Sequence, residues 1–258
     1  MADITLRTDV TAEVVQAWGE DKTIAQAARV STLGLDNDRE KFVGLVRALW
    51  RDGHHSPFMH VGMTFAIECP LFIRSQIVTH TSLARSEFSM RYSEARPEFW
   101  APATDRPLVQ VGKALDYRRE MGTDEQGEAA QATLEWVAEE TWDAYEFLVE
   151  KGVAKEVARA VLPQSTYTTL WMTGNLRSWL HFLDRRLEPH AQWEVQDVAT
   201  QIGTQLAARF PVTYEAYANE RTRREQMERL WEAHEQGRVS HKAKTVKLTV
   251  IDGGKADD

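Results

Sequence analysis

Hydrophobic positions along the chain change period several times, and each change marks an element. Phe42, Val43, Val46, Leu49 and Trp50 recur at helical spacing, with Asp36-Asn37-Asp38 as caps ahead of them and Gly53 suited to a left-handed stop. Val61, Met63, Phe65 and Ile67 alternate with period two, which predicts a strand up to Pro70. Pro70 suits the first turn of a following helix, PLFIRSQIVTH. The polar stretch 82–99, rich in serine and arginine, reads as a long ordered loop. Segment 102–128 mixes Pro, Gly and charge and reads as a surface insertion or mobile loop.

Leu134, Val137, Thr141, Tyr145, Leu148 and Val149 share one helix face, and Gly152 ends that helix. The short helix KEVARAVLP stops against Pro163, and TYTTLWM over 166–172 is β-branched and aromatic, a strand. Asn175 caps a helix that turns Leu176, Trp179, Leu180 and Leu183 inward, and a last long helix opens at Pro189 with Val195, Val198, Ile202 and Leu206 on one face. The pattern predicts an α+β fold: a helix-rich domain over 1–225 with a small antiparallel sheet, then a helical extension and frayed tail over 226–258.

Composition narrows the function classes. The chain has 258 residues with 43% hydrophobic and 27% charged positions, the balance of a folded globular protein. It shows no apolar run of membrane-spanning length and no secretory leader, and Cys69 is its single cysteine, so the expected compartment is the cytoplasm without a disulfide framework. A net charge of −8 argues against a nucleic-acid polymer as partner, although clustered arginines can still hold small anions. Nine tryptophans and six tyrosines suggest aromatic-lined pockets or subunit contacts.

Several side-chain groups are candidates for chemistry. GHHSPFMH offers His54, His55 and His60, but without a spaced ligand set the expectation is no metal. His190 and Glu194, four apart, read as a hydrogen-bonded pair on one helix face. There is no GxSxG elbow, P-loop or GxGxxG fingerprint, and Cys69 before Pro70 reads as a small buried hydrophobe. Arg74, Arg85 and Arg91 surround a loop carrying Ser82, Ser86, Ser89 and Ser93, while Arg159, Arg177, Arg185 and Arg186 lie on later helices. Guanidinium forks and serine hydroxyls are the groups that hold a phosphate monoester.

Two blocks carry a family resemblance. HSPFMHVGMTFAIECPLFIRSQIVTHTSLARSEFSMRYS and VARAVLPQSTYTTLWMTGNLRSWLHFLDRRLEPHAQWEVQDVA resemble the core of flavin-dependent thymidylate synthases. The family signature, Arg-His-Arg then Ser after seven residues, appears here as Thr79-His80-Thr81 followed by Ser89, with Glu87 and Arg91 in place. The second block ends in the elements carrying Arg186, His190 and Glu194. The resemblance covers roughly residues 20–220 apart from 102–128.

This resemblance implies a homotetramer with active sites at subunit interfaces, using FAD, NADPH and methylenetetrahydrofolate to methylate C5 of dUMP. It implies Arg186 and Ser89 as catalytic residues, and Gln76, Glu87, Ser89, Arg91, Arg159 and Arg186 as nucleotide contacts. Ser56, Thr79, His80, Thr81, Asn175 and His181 fall at flavin-binding positions. Both signature arginines are threonine here, so Arg74 and Arg85 become candidates to restore the charge. The altered signature also raises dCMP as substrate or a 5-hydroxymethyl product, and beyond these a noncatalytic nucleotide- or flavin-binding homologue.

Overall fold

Two short strands open the chain: β1 (Thr5–Arg7) and β2 (Thr11–Trp18), followed by helix α1 (Asp21–Leu33). Next come α2 (Val43–Arg51), a 3-10 turn (Ser56–Met59), β3 (Gly62–Pro70), α3 (Leu71–Ile77), β4 (Ala84–Glu87) and β5 (Glu98–Trp100). A hairpin of β6 (Val109–Lys113) and β7 (Asp116–Glu120) precedes the long helix α4 (Asp124–Glu150). The remainder is α5 (Lys155–Ala158), a second 3-10 turn (Arg159–Val161), β8 (Tyr167–Asn175), α6 (Leu176–Arg186), α7 (Trp193–Arg209) and α8 (Pro211–Glu235). This is a computed structural model, and it describes residues 3–34, 40–113 and 116–235. The expected caps Asp36-Asn37-Asp38 lie outside that range, as do residues 236–258 of the expected tail.

The fold is α+β and helix-rich, and its central sheet is antiparallel in the order β2-β3-β8-β4. β3 is buried almost throughout: Met63, Phe65, Ile67 and Cys69 are at most 2% exposed, so the period-two stripe becomes the floor of the core. Helices α3, α6 and α7 add Ile73, Trp179, Phe182, Val198, Ile202 and Leu206 to the same cluster. Trp179 is fully buried because its indole N–H donates to the Met63 carbonyl at 2.9 Å, leaving no unsatisfied polar atom. Phe99, Trp142, Tyr145 and Ala158 form a second cluster under α4 and α5.

Strand β2 lies at the sheet edge with Val14 and Val15 exposed, and its free backbone groups are occupied by α7. Gln201 accepts from Ala12 N at 2.9 Å and donates to Val10 O at 2.8 Å, and Gln205 bonds Val14 N and Ala12 O in the same way. Side-chain amides thereby stand in for a neighbouring strand and blunt the edge. Asp21, buried at the start of α1, accepts the backbone N–H groups of Val212 and Thr213 and so caps the start of α8.

Several expectations are corrected. The loop over 82–99 contains β4, paired with β8, and β5, paired in parallel with β1; the exposed polar residues of β4 gave no hydrophobic alternation to read. Within 102–128 lies the β6–β7 hairpin, and α4 begins at Asp124, where Thr123 and Gln126 form a capping box. Pro70 is the N-cap of α3 rather than part of its first turn. Helix α7 starts at Trp193 instead of Pro189, so His190 precedes it and cannot share a helix face with Glu194.

Contacts divide the chain into two units, Met1–Tyr217 and Ala218–Asp258. The second contributes the later turns of α8, where Arg221 pairs with Glu225 one turn on at 3.0 Å. Among the described residues no helix is long and apolar enough to cross a membrane.

Candidate active site

The turn after α3 is fixed from both sides. Thr79 donates its hydroxyl to the Gln76 carbonyl at 2.7 Å, His80 N bonds Ile77 O, and Leu83 N bonds His80 O. Leu83 is buried against Gly174 in β8, where a Cβ would come within 2.2 Å of its methyl. The absent side chain at 174 therefore lets Leu83 seat and sets residues 79–82 opposite α6.

Helix α6 is positioned by Asn175, whose side chain accepts from Ser178 N at 2.9 Å. Its buried face carries Trp179, Leu180, Phe182 and Leu183, which leaves His181, Arg185 and Arg186 to look toward the turn. Between turn and helix lies a cavity of about 500 Å³ lined by Thr79, His80, Thr81, Ser82, His181, Arg185 and Arg186. The lining holds hydroxyls, imidazoles and two guanidiniums, with no carboxylate, which is a donor set for an anion.

Arg186 is held by three bonds. Its Nε donates to His80 Nε2 at 2.9 Å, and its Nη2 donates to Gln76 O at 2.7 Å and Thr79 Oγ1 at 2.9 Å. The first bond requires an unprotonated Nε2. Burial, then the neighbouring Arg186, His181 and Arg185, push His80 down to about 4, so the neutral imidazole persists across the physiological range. Burial and the adjacent Arg185 also lower the pKa of Arg186. His80 is therefore an acceptor that orients a guanidinium.

The other expected residues do not line this cavity. Gln76 bonds Gln192 and lines a second cavity of about 440 Å³ with Arg106, Pro107, Leu108, Val109, Gln110, Arg119, His190 and Gln192. Glu87 is gripped by Arg74, whose Nε and Nη2 bond its two oxygens at 2.6–3.0 Å. Ser89 accepts from Arg91 N at 3.4 Å, and Arg91 pairs with Glu156 of α5, at whose end Arg159 stands exposed. No hydrogen bond or ion pair among the described residues joins Ser89, Arg91 or Arg159 to the lining of the first cavity. Ser56 is exposed in the first 3-10 turn, beside His55, which stacks on Trp50 at 4.4 Å.

Among the described residues no three His, Cys, Asp or Glu side chains group around one point. Burial pushes the Cys69 thiol up to about 12, with Glu87 adding to the effect, so no thiolate nucleophile forms.

The family model described as thymidylate synthase complementing protein matches residues 13–212. The flavin-dependent thymidylate synthase of Streptomyces coelicolor is 36% identical over 228 residues, spanning 83% of this chain and 93% of that protein. This chain belongs to the flavin-dependent thymidylate synthases. The same enzyme from Thermotoga neapolitana is 38% identical over 205 residues, spanning 80% of this chain and 89% of that one. The crystal structure of the UMP/dUMP methylase PolB from Streptomyces cacaoi bound with 5-Br UMP superposes with a TM-score of 0.79 at 37% identity, covering 85% of this chain and 99% of that one. PolB bound with 5-Br dUMP gives 0.78.

Of the two arginines expected to restore the charge absent at Thr79 and Thr81, neither lines the cavity. Arg74 is committed to Glu87, and Arg85 donates to the Val78 carbonyl at 3.0 Å outside the cavity lining. Nor does His190 bond Glu194. That carboxylate, 4% exposed, is held instead by Arg106 at 2.5 Å and by Gln192 at 3.2 Å. Arg106 and Arg119, which bonds the Ala191 carbonyl, tie the hairpin segment to residues 191–194. Neither arginine stands out in the sequence, because their partners lie 88 and 72 residues away.

Proposed function

We propose that this member of the family methylates C5 of a pyrimidine nucleoside monophosphate, dUMP to dTMP by default. Methylenetetrahydrofolate is the carbon donor and NADPH the reductant, with FAD as the bound cofactor. The observation that carries the reading is the carboxylate-free cavity in which a neutral His80 fixes Arg186. A guanidinium already aligned needs no reorganisation when negative charge develops on the pyrimidine ring, so its field acts more strongly on the transition state than on bound substrate.

The donor set fits a flavin dinucleotide, because its phosphates require N–H and O–H donors and the lining supplies them without an opposing carboxylate. Thr79, His80, Thr81 and His181 would hold it there, with Asn175 and Ser56 on the adjoining elements. When bound, the flavin supplies the hydride chemistry that no side chain can perform. Arg186 and Ser89 are the proposed catalytic residues, and Gln76, Glu87, Arg91 and Arg159 complete the nucleotide site. That Ser89, Arg91 and Arg159 do not line the Arg186 cavity within one chain supports a site completed by a second copy, in the expected homotetramer.

A second reading concerns the sugar. PolB, similar over nearly its whole length, was crystallised with both ribo- and deoxyribonucleotide analogues, which favours UMP as the competing substrate. Purified protein with FAD, methylenetetrahydrofolate and NADPH is to be supplied in turn with dUMP, UMP and dCMP, and the products read by mass. Methylated dUMP supports the principal reading, and product from UMP or dCMP alone, or a hydroxymethyl product, replaces it. Absence of any product, together with absence of flavin absorbance after reconstitution, contradicts it.

A further inference from the structure

We propose that Arg185 is the cation that holds a phosphate group of the ligand in the cavity beside α6, in place of charge that Thr79 and Thr81 do not carry. The inference deepens the proposed function and rests on it. Elimination among the arginines in and around the lining leads there. Thr79, Thr81 and Ser82 are uncharged, and burial with the neighbouring cations keeps His80 neutral. Arg186 has already committed Nε and Nη2 to His80, Gln76 and Thr79. Arg74 is neutralised by Glu87, and Arg85 is turned to the Val78 carbonyl.

Arg185 lines the cavity, is exposed, and has no hydrogen bond or ion pair to a carboxylate among the described residues. Its charge is felt by both His80 and Arg186. Two successive guanidiniums facing a cavity without a carboxylate repel one another until an anion enters. A phosphate suits that place, since its oxygens accept paired N–H bonds from a planar guanidinium. Two sources offer the same chemistry: the diphosphate of FAD and the monophosphate of the nucleotide substrate.

The test titrates the full chain with FAD, read by flavin fluorescence, and separately with dUMP, read by calorimetry. Wild type is compared with Arg185→Ala, Arg185→Lys and the double variant Arg185→Ala/Thr81→Arg. The expected result is a loss of about tenfold or more in one affinity for Arg185→Ala, as for removal of a charge-assisted bond. Arg185→Lys should lose less, and arginine at 81 should restore part of the loss. A loss confined to FAD assigns the diphosphate, and a loss confined to dUMP assigns the monophosphate. Because Arg185 is exposed, thermal melts of the variants should match wild type. If wild type binds both ligands and Arg185→Ala binds both within about twofold of it, the Arg185 assignment falls alone. If wild type binds neither, the proposed function falls with it.

Discussion

The guanidinium of Arg186 donates through Nε to His80 Nε2 at 2.9 Å, a bond between residues 106 positions apart. It couples the end of α6 to the turn after α3, and it exists only while the imidazole is neutral. Phe182, edge-on to His80 at 4.8 Å, gives the ring an apolar backing and so favours the neutral form.

A pH dependence follows from that bond. His80 titrates at about 4 in the folded chain against an ordinary 6.5, so between those values the unfolded state binds the additional proton. Stability from this residue is therefore complete above about 6.5, declines as pH falls toward 4, and is lost below it. Comparing thermal melts of wild type and His80→Gln from pH 8 to pH 4 measures the effect, with the variant expected to show the shallower acid slope. A parallel pair of curves would show that His80 already titrates normally in the fold.

The ion pair between Arg106 and Glu194 gives a stability prediction. Glu194 is 4% exposed, so Arg106→Ala leaves a buried carboxylate without its cation, at a cost of about 3 kcal/mol or more in denaturant unfolding. Arg106→Ala/Glu194→Leu should be more stable than Arg106→Ala alone, since the double variant removes the orphaned charge. Because Gln192 bonds both Glu194 and Gln76, Arg106→Ala should also raise KM for the nucleotide. Unchanged stability and KM would mean that the hairpin segment adds nothing to the site.

Arg85 offers a contrast. It is exposed, donates to a backbone carbonyl and does not line the cavity, so Arg85→Ala should leave FAD and dUMP affinities within about twofold of wild type. A larger loss by titration would return Arg85 to the list of charges that replace the signature arginines.

The sequence made the core of the fold legible wherever burial imposed a period. The alternating stripe of β3, the inward face of α6 and the cap at Asn175 all formed where patterning placed them. Strands β1, β2 and β4 gave no such signal, because their stability comes from partners distant in sequence, as when Gln201 and Gln205 satisfy the open edge of β2. The same rule divides the site. His80, His181 and Arg186 stood in a recognisable frame and converge on one cavity. Arg106 and Arg119 act only through contacts made after folding, and the spacing of His190 and Glu194 misled because the helix begins three residues after His190.

The most direct test is Arg186→Ala, with turnover and dUMP affinity measured on the same preparation. A guanidinium that chiefly stabilises charge developing on the pyrimidine predicts a fall in kcat of about a hundredfold or more, with only a small loss of nucleotide affinity. Equal losses in both would contradict the account and leave Arg186 as a binding group only.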